Sequence, residues 1–75
     1  MKLFEITEDD VKRRRAALAT MLDMMDVPES RREQSDTNLR WLTRNIAVRN
    51  GEHPMVQPAR DLIKWLLRWG KNGQN

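Results

Sequence analysis

Seventy-five residues carry 14 basic and 11 acidic side chains, no cysteine and one histidine, for a formal net charge of +3. A chain this short holds one small domain, and without disulfides or a thiolate metal site it depends on efficient packing or on a core shared with a partner. These figures exclude a multidomain enzyme, a secreted disulfide scaffold and a thiolate zinc module.

The amino-terminal residues do not read as a secretory leader, because Glu5, Glu8, Asp9 and Asp10 interrupt the apolar region a leader needs. A cytoplasmic location is the expectation. Leu3, Phe4 and Ile6 are expected to cover the open end of the fold as an extended lead-in. No uninterrupted apolar run approaches the length of a membrane span.

The first helix has a clear start. Thr7 stands three residues before Asp10, an Asp variant of the capping box, with Ile6 and Val11 at the staple positions. Val11, Leu18, Leu22 and Met25 then recur at helical spacing, with Met21 and Met24 widening the face. Val27 before Pro28 marks the exit, so the spacing predicts a helix over about 8–25. Within it, Lys12, Arg13, Arg14 and Arg15 follow Glu8, Asp9 and Asp10 at four-residue spacing. Pairing of Glu8 with Lys12, Asp9 with Arg13 and Asp10 with Arg14 is therefore expected to neutralise most of the run. Arg15 is left over, near the apolar stripe.

Residues 29–38 contain no apolar side chain. Two helix starts compete there: Ser30 with Glu33, and Ser35 or Asp36 just before Leu39. Leu39, Leu42 and Ile46 favour the second, with Trp41 and Val48 to one side and Asn50-Gly51 as a left-handed stop. The second helix is expected at about 36–49, with a start near 29 still open. Arg40 and Arg44 form a ladder on it, and Asp36 is the local acid for Arg40.

A connection of about seven residues, with Pro54 inside it, leads to a third helix over about 58–69, where Pro58 suits the first turn. Ala59, Leu62, Ile63, Leu66 and Trp69 make an apolar face broadened by Trp65 and Leu67. More apolar surface lies there than one stripe of a small bundle buries, so some of it is expected to reach solvent. Arg60, Lys64 and Arg68 recur every fourth residue as a basic ridge, with Lys71 near its end and Asp61 as the only local acid. Gly70 ends the helix, and residues 71–75 are expected to form a flexible polar tail. The fold class is all-α: one small three-helix bundle spanning residues 1–75.

Charge divides along the chain, with residues 1–38 at −2 and residues 39–75 at +5. His53, the single histidine, lies in a turn beside Pro54 and reads as a solvated loop residue; no metal site is expected. No Gly-rich phosphate loop, nucleophile elbow or acid/base cluster is present, so neither an enzyme, a cofactor nor a small-molecule substrate is expected. Trp65 and Trp69, one turn apart, read either as core indoles or as interface anchors beside arginine.

The expected function is that of a small adaptor or regulator that docks a protein partner, or a second copy of itself, through the third helix. Its candidate partner-binding residues are Arg40, Arg44, Arg60, Lys64, Trp65, Arg68 and Trp69. The competing expectation is a nucleic-acid accessory protein that places Arg40, Arg44, Arg60, Lys64 and Arg68 on phosphates. A helix-turn-helix reader is disfavoured by the long connection and the apolar third helix, and docking on an anionic membrane is disfavoured because the core needs that helix. Size and composition suit a small phage or plasmid regulator.

Overall fold

The first two helices of the chain begin on side-chain caps. The computed structural model describes residues 5–71, arranged as α1 (Glu8–Met24), a short 3-10 turn (Glu29–Arg31), α2 (Asp36–Asn50) and α3 (Val56–Trp69). The helices form a small three-helix bundle, and no strand occurs among the described residues. The proposed lead-in contacts of Leu3 and Phe4, and the tail at 72–75, lie outside the described residues.

At the start of α1, Thr7 Oγ1 accepts the Asp10 N–H at 3.2 Å, and the Thr7 N–H donates to the Asp10 carboxylate at 3.1 Å. The capping box is therefore complete, and Ile6 packs on the core beside buried Val11. The helix ends before Pro28 acts. Asp26 takes a left-handed conformation (φ 54°), its N–H donates to the Asp23 carbonyl at 3.2 Å, and the Val27 N–H reaches the Leu22 carbonyl at 3.1 Å. That is a Schellman stop, closed by the buried side chains of Leu22 and Val27.

The two competing starts of α2 resolve in favour of Ser35, whose Oγ accepts the Asn38 N–H at 3.2 Å. The Ser30 signal yields only the 3-10 turn, and the Asn38 amide of α2 donates to the Ser30 carbonyl at 3.5 Å and to the Glu33 carbonyl beyond the turn at 2.8 Å. At the other end Gly51 (φ 57°, ψ −121°) adopts a backbone open almost only to glycine, and the His53 N–H closes the turn on the Asn50 carbonyl.

Helix α3 starts at Val56, two residues earlier than its proline suggests, and the connection is five residues (51–55) instead of seven. Pro58 still lies in the first turn, where an N–H has no acceptor within the helix. Gln57, although it precedes a proline, is drawn into the helix by the burial of Val56 and by the Ala59 N–H bond to the Met55 carbonyl at 2.9 Å.

One apolar core joins all three helices, with Leu18, Leu22, Leu39, Leu42, Ile46 and Ile63 fully enclosed and no buried polar residue among those described. Helix α3 packs against both α1 and α2, with fully buried Ala59 giving room for close approach. The apolar surface expected to reach solvent on α3 does so only in part. A helix contacted from two sides buries more than one stripe, so Leu62, Trp65, Leu67 and Trp69 are half-buried. The large apolar side chains most open to solvent are instead Met24 on α1 and Val48 on α2, the latter 82% exposed.

Two side chains tie the connections down. The Asn50 amide donates to the Met25 carbonyl at 2.7 Å, joining the ends of α2 and α1. Arg15 donates to the Gln34 carbonyl at 2.9 Å, and the Gln34 amide returns a bond to the Arg15 carbonyl at 2.7 Å. The arginine left over by the sequence pattern is therefore an anchor for the long connection.

Candidate interaction surface on α2 and α3

Arg40 and Arg44 stand one turn apart on the exposed side of α2 and, with Thr43 and with Leu67 of α3, line an open depression of about 240 Å³. Leu67 rests on the core at its base. Lys64 precedes Leu67 by three residues and Arg60 by seven, spacings that put both on the same side of α3. Among the described residues none of these four cations has an ion pair.

Nearby acids are engaged elsewhere. Asp36, the expected partner of Arg40, instead pairs with Lys71 at 3.2 Å. Lys71 is thereby held to the start of α2 as the tail leaves α3. Asp61, the one acid of α3, accepts from the Gln57 amide at 2.9 Å. Arg60 is partly buried, and its Nε is enclosed without an acceptor, so only the outer part of its guanidinium faces solvent.

Of the remaining candidates, Arg68 follows Lys64 by one turn, whereas the two indoles lie apart from this cluster. Trp65 is two positions from Leu67 and so points to nearly the opposite side of α3, toward α1. There the Arg14 guanidinium covers its ring, 4.1 Å from the centroid. Arg68 lies over Trp69 at 4.9 Å. The expected mixed Trp/Arg surface on α3 thus divides into cations facing α2 and half-buried indoles covered by arginine.

The basic run of α1 is occupied, with two of its three pairings changed. Lys12 meets Glu8 at 3.5 Å as expected, whereas Arg13 bonds Asp10 in place of Asp9. Arg14, freed from the expected Asp10 carboxylate, donates to the Asp10 carbonyl at 3.4 Å and stacks on Trp65. A capping box claims the Asp10 carboxylate first, which explains the shift. The Thr7 backbone N–H, followed by the Arg13 guanidinium, holds the Asp10 carboxyl below its ordinary pKa.

His53 is half-buried instead of solvated, and its Nδ1 accepts the Met55 N–H at 3.0 Å, supporting the lead into α3. Among the described residues no group of three His, Asp or Glu side chains is placed to hold a metal, and no helix is long and apolar enough to cross a membrane.

The sequence reading missed a second cluster. Arg31 lies over the Trp41 ring at 4.7 Å and Arg49 lies over it at 5.9 Å, on the flank of α2 that also carries exposed Val48. The offset of Trp41 and Val48 from the Leu39, Leu42 and Ile46 stripe was the available signal. Compared with family models, curated proteins and solved structures, the chain matches none.

Proposed function

We propose that this chain is a small non-enzymatic adaptor or regulator, acting in the cytoplasm, that docks an acidic protein partner on the basic face formed by α2 and α3. One observation carries the reading. Arg40 and Arg44 line an open depression whose apolar base is Leu67, Lys64 and Arg60 follow on the same side of α3, and none of the four has an ion pair among the described residues. Like charges one turn apart weaken a helix slightly, so this arrangement does not serve helix stability. Cations around a small apolar base give the composition of a docking site, with charge steering the encounter and Leu67 giving the partner a surface to cover. In this reading Trp65 and Trp69 hold α3 against the bundle and stand behind the contact surface.

A second reading has its own support. The four-residue spacing of Arg40 and Arg44, and of Arg60, Lys64 and Arg68, also suits successive phosphates of a nucleic acid. Titration of the chain with poly-glutamate and with a generic oligonucleotide at low salt separates the two. Tighter binding of the acidic polypeptide, lost in the Arg40→Glu/Arg44→Glu variant, supports the protein partner. Tighter binding of the oligonucleotide with a steep salt dependence supports the second reading instead.

A further inference from the structure

Around α2 from the depression lies a face built differently. Trp41 is two positions from Thr43 and so points away from Leu67. Its half-buried ring carries the guanidinium groups of Arg31 and Arg49 at 4.7 and 5.9 Å. A cation–π contact of this kind holds a guanidinium near the ring and leaves its N–H groups free for a carboxylate. Among the described residues neither arginine meets a carboxylate, and the one conventional hydrogen bond in the pair is a long one, 3.5 Å, from Arg31 to Asn38. Arg31 is thereby placed before any partner arrives, with Arg49 at the edge of the same ring, which removes part of the entropy cost of binding.

Beside them stands Val48, seven residues from Trp41, four from Arg44 and 82% exposed. It lies between the two arginines and the depression on the surface of α2. The only acid that α2 contributes, Asp36, is already held by Lys71. We propose that this outer face of α2 docks an acidic amphipathic helix of another protein, its carboxylates on Arg31 and Arg49 and an apolar side chain on Val48. The proposal rests on the reading of the chain as a binder of acidic protein and names the kind of segment bound. Carboxylates one turn apart on such a helix match Arg40 and Arg44, also one turn apart. A phosphate backbone would leave Val48 uncovered.

The test uses two probes, poly-glutamate and a synthetic helical peptide with glutamates flanking a leucine stripe, titrated against the full chain and its variants. The amphipathic peptide is expected to bind about tenfold more tightly than poly-glutamate, and Val48→Ser or Arg49→Gln is expected to remove that margin. Both positions are exposed, so an unchanged melting temperature shows that the fold is intact. Equal affinity for the two probes with a silent Val48→Ser overturns this proposal, while binding that still depends on Arg40 and Arg44 leaves the broader reading standing. If neither probe binds at low salt, both fall. Tighter binding of an oligonucleotide, or a Val48-dependent dimer in sedimentation of the chain alone, overturns the proposal in favour of a nucleic acid or a second copy.

Discussion

At Asp26 the backbone turns left-handed with a β-carbon in place, a conformation that costs an L-residue roughly 1 kcal/mol. Its carboxylate also sits at the carbonyl end of α1, where the helix dipole disfavours negative charge. Asp26→Gly is expected to raise stability by about 1 kcal/mol, read as a higher melting temperature, and a lower one would refute the account of this stop. Asp10 shows the opposite economy. Its carboxyl is held below the ordinary value of 3.8 by the Thr7 N–H and then by Arg13. A depressed carboxylate adds stability that is present above the ordinary value and is lost as pH falls through the folded value. Asp10→Asn is therefore expected to melt earlier at neutral pH, with the gap to the parent chain closing in acid; a gap independent of pH would contradict this. The capping box and its Asp were readable from Thr7 and Asp10 alone. The pairing of Arg13 and Arg14 was not, because the spacing rule ignores which carboxylate the cap has already claimed.

Among the elements, α3 holds the bundle together. It faces both other helices and contributes the fully buried Ala59 and Ile63. Ile63→Ala is expected to cost about 2–5 kcal/mol in denaturant unfolding, whereas Val48→Ser on α2 should stay within about 0.5 kcal/mol. Comparable losses at the two positions would mean that α3 is not the central helix. The three helices and the α2 start at Ser35 or Asp36 were legible because caps and apolar spacing agree there. The early start of α3 was not, since proline's local preference at Gln57 yields to burial of Val56. Nor was the destination of α3's broad apolar face, because a sequence does not say that one helix will be packed from two sides.

Across the whole molecule the net charge of +3 conceals an uneven distribution. Most cations of the first half are bound at home, on Glu8, Asp10, Asp23, the Gln34 carbonyl and the rings of Trp41 and Trp65. The second half leaves Arg40, Arg44, Arg60 and Lys64 without ion pairs among the described residues, with Arg40 and Arg44 beside Leu67 where α2 meets α3 and the other two on Leu67's side of α3. The four-residue ladders were readable in the sequence. The meeting of Arg40 and Arg44 with Leu67, and the separation of Trp65 and Trp69 from them, depended on how α3 is rotated in the bundle. A surface of this kind attracts an anionic partner over distances set by salt, with screening reaching about 8 Å at physiological ionic strength. The most direct test is the affinity of the chain for poly-glutamate across a salt series, beside the Arg40→Glu/Arg44→Glu variant. The account predicts binding at low salt that weakens as salt rises and is lost in a variant whose melting temperature is unchanged. Binding that survives the charge reversal, or none at any salt, would contradict it.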